Sequence, residues 1–172
     1  MQCHEIMTCN VEHVTPELSV ELAARKMFER ILGILPVCNG QGQVVGVVTD
    51  RDIVLRVCAV GRVPQQTRVE EIMSSPVVAC RPYDPVARAE RLMILHHKAR
   101  ILVTSEQAEL LGIISLTDLA QHEEPLQAAR VLRDITARAF RFEGPRKLHT
   151  VPPPDPPSSG QRSRRRSKVS AN

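Results

Sequence analysis

The sequence predicts an α+β fold in which two β-α-β-β-α repeats pack sheet to sheet as one unit, followed by a C-terminal helix and a disordered tail. Three observations lead to this expectation. The chain repeats itself without a gap at an offset of 66 residues. Each copy has apolar residues at helical spacing, followed by two short β-branched runs. A unit of roughly fifty residues is too small to bury a sheet and two helices alone, so the copies must share a core.

The repeat is defined by identical residues at matched positions. The first copy covers residues 3–62 and the second residues 67–122, and they are followed by a predicted amphipathic helix at 123–142. The matched identities are Glu5-Ile6-Met7 with Glu71-Ile72-Met73, Pro16 with Pro82, Val20 with Val86, Met27 with Met93, Val37 with Val103, Gly46 with Gly112 and Asp52 with Asp118. Such agreement over two copies indicates two units of the same structure.

Each copy predicts the same elements in the same order. A brief strand near Val11 or Val77 leads to a helix, then to two strands joined by a turn, and then to a second helix. The first helices are predicted at Val20 to Ile31 and Val86 to His97, and the strands at Ile34 to Cys38, Gln43 to Val48, Arg100 to Thr104 and Glu109 to Ile114. Asp84-Pro85 reads as an N-cap followed by a proline in the first turn.

A hydroxyl and a carboxylate three residues apart follow the last strand of each copy. They are Thr49 with Asp52 and Ser115 with Asp118, in a shared pattern of glycine, two apolar residues, hydroxyl, two residues and aspartate. One interpretation is a capping box at the start of the second helix, which stabilises the helix by about 1 kcal/mol and has no further function. The other is a ligand site.

The duplicated pattern resembles the cystathionine beta-synthase (CBS) domain, and the pair resembles a Bateman module over about residues 3–122. The resemblance implies that the hydroxyl and carboxylate contact the ribose of an adenine nucleotide such as AMP, ADP or ATP. Glycine lets a ligand or a facing backbone approach closely. The implied ligand-binding residues are Thr49, Asp52, Ser115, Asp118, Gly46 and Gly112.

Phosphate groups would require cations, and the nearest candidates in the sequence are Arg51, Arg100 and Lys98. Each could equally be a solvated surface charge. The copies also differ, because Gly33-Ile34 in the first corresponds to Ala99-Arg100 in the second. We therefore expect two inequivalent pockets, one of which could be empty. Other family ligands, such as S-adenosylmethionine, NAD or a cyclic dinucleotide, stay open, and no cofactor is required.

Other classes of function find little support in the sequence. Three Phe, one Tyr and no Trp supply few surfaces for stacking nucleic-acid bases. The odd number of cysteines and the lack of a C-x-x-C pair favour reduced thiols, and loosely spaced Cys3, His4, Cys9 and His13 are a poor metal set. No nucleophile is paired with a base, so we expect no catalysis. No apolar run approaches a membrane span and no leader is recognisable, so we expect a cytoplasmic protein.

The leading hypothesis is a regulatory protein that senses adenine nucleotides, forms a homodimer and acts on an unidentified protein partner. A nucleotide-free dimerisation scaffold is the main alternative. The helix at 123–142 should pack on the repeats or on a second chain by an apolar side formed by Leu126, Ala129, Leu132, Ile135, Ala139 and Phe142. A third alternative is a nucleic-acid-associated protein acting through its basic tail.

The basic charge is concentrated in the tail. Residues 146–172 carry seven Lys or Arg against Asp155, whereas residues 1–145 carry 16 basic and 18 acidic groups. The tail is rich in proline and serine and then reads RSRRRSK, with too little apolar surface to fold. Any weak nucleic-acid contact should therefore lie there and fall steeply with salt. If the arginines only maintain solubility, no binding is expected at physiological salt.

Removing residues 146–172 should abolish any nucleic-acid retention and leave thermal stability, dimerisation and nucleotide binding nearly unchanged, because the segment buries little apolar area. A mobility-shift titration of the full-length and truncated proteins at two salt concentrations measures the effect. Salt-insensitive binding by the truncated protein would contradict both interpretations of the tail and place the nucleic-acid site in the repeats.

Overall fold

The computed structural model describes residues 1–137, and the predicted α+β architecture of two repeats is confirmed within them. The tail at 146–172 and the end of the predicted C-terminal helix, residues 138–142, lie outside the described residues. The first half contains α1 (Cys3–Ile6), α2 (Val20–Arg30), β1 (Ile34–Cys38), β2 (Val44–Thr49) and α3 (Asp50–Arg56). The second contains β3 (Ala79–Cys80), α4 (Val86–His96), β4 (Arg100–Thr104), β5 (Leu110–Ser115) and α5 (Leu116–His122), and α6 (Pro125–Thr136) follows. No helix of residues 1–137 is long and apolar enough to cross a membrane.

The strand pairs of the two halves have the same register. β1 and β2 are antiparallel with Val37 opposite Gly46, and β4 and β5 are antiparallel with Val103 opposite Gly112. β3 lies parallel to β4, whereas the first half makes a single parallel bridge between Val14 and Val37 at the equivalent place. The brief strands predicted near Val11 and Val77 were therefore placed too early, because pairing begins two to three residues later in the chain.

The helix starts differ between the halves. The hydroxyl of Ser19 accepts a hydrogen bond from the Leu22 amide at 3.4 Å and caps α2. Pro85 occupies the equivalent position before α4 and has no side chain able to cap. The prediction that Asp84 caps α4 was wrong, because Asp84 lies one residue too early. Its carboxylate instead accepts the Arg81 amide at 2.8 Å.

Each hydrophobic core is completed by the segment that leads into the other repeat. Cys3 and Ile6 of α1 are buried in the second core, with Met93 of α4. Val69 and Ile72, which precede the second repeat, are buried in the first core. Backbone bridges fix this exchange, since Thr8 pairs with Ile113 of β5 and Ser74 pairs with Val47 of β2. Neither half can therefore bury its core without the other.

The last helix packs on the second half by a face that shares only Ile135 with the predicted one among the described residues. Val131 and Ile135 are buried in the second core, whereas Leu126, Ala129 and Leu132 are exposed. The inner face also carries Gln127, whose side-chain amide donates to the buried Glu90 carboxylate of α4 at 3.0 Å. Apolar residues occur on both sides of this helix, so its pattern alone does not identify the buried side.

Two glycines lie under the two segments that cross to the opposite half, residues 3–8 and 69–74, which we call the crossing segments. They provide a test of this arrangement. A Cβ added at Gly112 would lie 2.7 Å from Met7 Sδ and 3.0 Å from the Thr8 carbonyl, and one added at Gly46 would lie 2.5 Å from Met73 Sδ. We expect Gly112→Ala to lower the free energy of unfolding by about 2–3 kcal/mol and Gly46→Ala by about 1–2 kcal/mol, since a flexible side chain yields more readily than backbone. Urea denaturation measures both.

Gly40→Ala is the matched control, because no other atom of residues 1–137 that could clash lies within 4 Å of the added Cβ. It should leave the free energy of unfolding unchanged or raise it slightly, since alanine restricts the unfolded chain. Equal losses of stability in all three variants would contradict close packing at the crossing segments.

Candidate functional site

Both hydroxyl–carboxylate turns are closed capping boxes. Thr49 Oγ1 accepts from the Asp52 amide at 3.1 Å, and Asp52 Oδ2 accepts from the Thr49 amide at 2.9 Å and from the Thr49 hydroxyl at 2.6 Å. The Ser115–Asp118 turn has the same three bonds at 3.3, 2.7 and 2.6 Å. In each aspartate Oδ2 is occupied by the cap, so Oδ1 is the oxygen that can meet a ligand without breaking the turn.

The first turn lies in a cleft of about 450 Å³ that is built from both repeats. The first repeat contributes Gly33, Ile34, Val47, the stretch from Thr49 to Asp52, and Arg56; the second contributes Ser74, the stretch from Pro76 to Val78, the stretch from His97 to Arg100, and Leu102. Residues 74–78 reach the first repeat because the crossing segment at 69–74 pairs with β2. The apolar lining and the polar turn can therefore contact opposite ends of one small molecule.

The cleft gathers three cations that form no ion pair with any residue of 1–137. These are Arg51, Lys98 and Arg100, all of which line the cleft and none of which lies within 4.0 Å of a described carboxylate. Among the described lining residues, Asp50 is the one acidic side chain besides Asp52, and its carboxylate accepts the Arg51 amide at 2.7 Å. Unpaired cations around a concave surface attract an anionic group.

Arg56 connects the turn to the crossing segment and was not identified from the sequence. Its guanidinium lies 3.3 Å from Asp52 Oδ1, and it donates to the Met73 carbonyl at 3.2 Å and to the Ser74 hydroxyl at 3.1 Å. It also donates to the Ile72 carbonyl. The four-residue spacing from Asp52 on one helix was the signal available, since such positions face each other.

The glycines of the motif lie outside this cleft. Gly46 and Gly112 are not among its lining residues, and the space above them holds Met73 and Met7. Of the residues expected to bind ligand, the structure brings together Thr49, Arg51, Asp52 and Arg100. It places Ser115 and Asp118 at the pseudo-equivalent turn of the second repeat. The facing element at both glycines is thus protein, and a ligand contact there stays a prediction.

The second turn has different surroundings. At the 66-residue offset, the cations Arg51, Arg56, Lys98 and Arg100 correspond to Thr117, His122, Leu32 and Ile34. The ring of His122 lies 2.8 Å from the Asp118 carbonyl of its own helix and so does not repeat the role of Arg56. The positions that supply cations to the first cleft are therefore not cationic in the other half.

The carboxylate of Glu12 is a further difference between the two halves. Glu12 corresponds to Val78 of the first cleft, and it pairs with Lys26 at 2.7 Å and Arg30 at 3.3 Å. The Lys26 hydrogen bond holds the pKa of Glu12 below its ordinary value. The first cleft thus has an apolar side chain where the other half has a carboxylate that is paired with two cations.

A profile of the CBS domain family matches residues 3–58 and 69–124. Among known proteins, the CBS domain-containing protein YhcV of Bacillus subtilis is 37% identical over 125 residues, which cover 73% of this chain and 87% of YhcV. The fold is similar to the CBS domain pair of protein MJ0100, solved in complex with 5′-methylthioadenosine and S-adenosyl-L-methionine, with a TM-score of 0.62, 20% identity, and coverage of 76% of this chain and 98% of that one.

It is also similar to the crystal structure of Hypoxic Response Protein I with two coordinated zinc ions. That match has a TM-score of 0.67 and 28% identity and covers 72% of this chain and all of the other. Within residues 1–137 no three His, Cys, Asp or Glu side chains come together as a metal site. Cys3 is buried and Cys9 is exposed, so the loosely spaced Cys3, His4, Cys9 and His13 are not gathered at one point.

Proposed function

The chain belongs to the CBS domain family, and we propose that it is a non-catalytic regulatory module that binds a phosphorylated adenosine compound in its first cleft. The observation that supports this proposal is the group of three cations, Arg51, Lys98 and Arg100, which lie around the carboxylate turn of Asp52 and pair with no carboxylate of residues 1–137. Adenine nucleotides such as AMP, ADP and ATP combine the features this cleft can meet: a flat apolar base, a ribose diol and an anionic end.

The roles of the lining residues follow from their chemistry. Asp52 Oδ1 can accept from a ribose hydroxyl while Oδ2 keeps the helix cap, and a charge-assisted bond of this kind contributes about 1.5–3 kcal/mol. Val77, Val78 and Leu102 offer apolar surface for the base. The phosphate group would then lie beside Arg51, Lys98 and Arg100 and supply the negative charge that no carboxylate of residues 1–137 supplies to them.

Binding in this cleft would join the two repeats. The turn at Asp52 belongs to the first repeat, whereas Lys98 and Arg100 belong to the second. A ligand that contacts both sides favours the arrangement in which they are close, and this differential affinity is what a regulatory module needs. The state of the cleft could then be transmitted to a protein partner.

The difference in charge between the two turns predicts how many ligands bind to each chain. We expect one phosphorylated ligand per chain, in the cleft at Asp52, because the second turn lacks cations at the corresponding positions. The ligands of MJ0100 share an adenosine group with the nucleotides, so adenosine, S-adenosylmethionine, AMP, ADP and ATP form a suitable panel.

Calorimetric titration of this panel should show an adenine nucleotide binding with a dissociation constant between micromolar and sub-millimolar, about −5 to −8 kcal/mol. Asp52→Ala should weaken it by about 1–3 kcal/mol. The double variant Lys98→Met and Arg100→Met should weaken ADP more than adenosine, because only the phosphates lose their partners. Thermal stabilisation by the same ligands provides an independent measurement.

Asp118→Ala is the matched control, since it removes an equivalent capping box from the second turn. It should reduce stability through the loss of the helix cap, without the additional loss of the Arg56 ion pair that Asp52→Ala causes, and leave nucleotide binding intact. A loss of binding in Asp118→Ala alone would move the site to the second turn. No heat with any compound of the panel would leave both turns as helix caps.

An exposed apolar surface on α2 supports the further proposal of a homodimer. Phe28 is 84% exposed and Ile31 is 94% exposed, and Val54 of α3 is exposed as well. Ile31 ends α2 in the left-handed region with φ 54°, which is unfavourable for a β-branched residue. Glycine would relieve this strain, so an exposed isoleucine there fits a role in contact with a second chain.

Ile31→Gly separates strain from contact. It should raise the free energy of unfolding by about 0.5–1 kcal/mol by relieving the left-handed conformation, and it should also weaken self-association by removing a large apolar side chain. Sedimentation velocity and urea denaturation measure the two effects. A wild-type protein that sediments as a monomer at tens of micromolar would contradict the dimer. A variant that associates as strongly as the wild type would contradict a contact through Ile31.

A further inference from the structure

Two buried cysteines from distant parts of the chain are in contact. Cys3 of α1 and Cys80 of β3 are 0% and 1% exposed, and their sulfur atoms lie 3.6 Å apart although 77 positions separate them in sequence. The remaining cysteines are arranged differently, with Cys38 buried in the other half and Cys9 and Cys58 exposed. The contact joins the crossing segment that begins the chain to the sheet of the second half.

The first half makes the corresponding contact without sulfur. At the 66-residue offset Cys3 corresponds to Val69 and Cys80 corresponds to Val14, and both valines are buried in the first core. The position therefore requires a small apolar side chain, which valine supplies. Thiols at both members of one contact add a chemistry that packing does not require.

We propose that Cys3 and Cys80 form an intramolecular disulfide when the protein meets hydrogen peroxide, which fixes α1 on the second half. The Cys3 thiolate attacks one peroxide oxygen, so that the O–O bond breaks, hydroxide leaves and a sulfenic acid forms. The Cys80 sulfur then attacks the Cys3 sulfur and displaces hydroxide, which takes up the Cys80 proton. In balance, two thiols and one peroxide give one disulfide and two waters.

The contact assigns different roles to the two sulfurs. The Cys80 thiol donates toward Cys3, and this hydrogen bond lowers the pKa of Cys3 and raises that of Cys80. Cys3 is therefore the sulfur that attacks peroxide, and Cys80 is the resolving thiol. Burial raises the pKa of Cys38, which has no second thiol beside it in the described residues and should stay reduced.

Local opening of α1 gives peroxide its access. This helix has four residues and is fixed to the second half by backbone hydrogen bonds from Cys3 to the Asp84 carbonyl and from His4 to the Pro82 carbonyl, both at 2.9 Å. Short elements of this kind open without global unfolding. Once formed, the disulfide closes a loop between residues 3 and 80 and restricts the unfolded chain, so oxidation should raise thermal stability.

The test uses the full chain with the exposed thiols removed by Cys9→Ser and Cys58→Ser. After peroxide treatment, peptide mapping without reductant should find Cys3 linked to Cys80, and thiol titration in denaturant should find one of three thiols left. The Tm should rise by about 5–10 °C and return with reductant. Adding Cys80→Val, the residue of the first half, should preserve folding and abolish both the linked peptide and the shift.

Three free thiols after peroxide, or overoxidation of Cys3 with no linked peptide, would overturn the proposal. A Tm shift that persists in the Cys80→Val protein would overturn it as well, because the stabilisation would then have another origin.

Discussion

The packing of the two crossing segments on opposite halves is the constraint on which the rest of this structure depends. Met7 lies over Gly112 and Met73 lies over Gly46, at distances that leave no room for even a methyl group. Because each segment completes the core of the opposite half, the halves form one cooperative unit. The cleft at Asp52 is a direct consequence, since residues 74–78 form part of its wall only by crossing to the first half.

The turns at Asp52 and Asp118 have the same hydrogen bonds, but the residues at corresponding positions around them differ in charge. Both aspartates use Oδ2 to cap a helix, so the cap preserves the turn in each half whatever the ligand does. What differs is the set of residues at the positions that line the first cleft and at their counterparts in the other half. Lys98 in one half corresponds to Leu32 in the other, so the charge at such a position differs although the fold is the same.

Local features of the fold could be predicted from the sequence, and relations between segments could not. The bounds of α2, α4, β1 and β4 agree with the predicted ones within one residue, because strong periodicity and turn residues define them. The 66-residue repeat, by contrast, aligns residues 69–72 with residues 3–6 without saying which core each segment joins. The predicted inner face of α6 was wrong at three of its four described residues, since contact with the second core decides which side is buried. The predicted cap of α4 was wrong by one residue. Arg56 was missed because its partners Met73 and Ser74 are distant in the sequence.

One contact connects the proposed ligand cleft with the last described helix. His97 lines the cleft beside Lys98 and Arg100, and its ring lies 3.0 Å from the carbonyl of Ile135 in α6. His97 ends α4 with φ 50°, a conformation that the flanking contacts must maintain. A phosphate held by Lys98 and Arg100 would restrain the turn at His97. Because His97 contacts Ile135, it would also restrain the position of α6. The first half has no such helix over its corresponding residue, Ile31, within residues 1–137, so occupancy of one cleft would act on the two halves unequally.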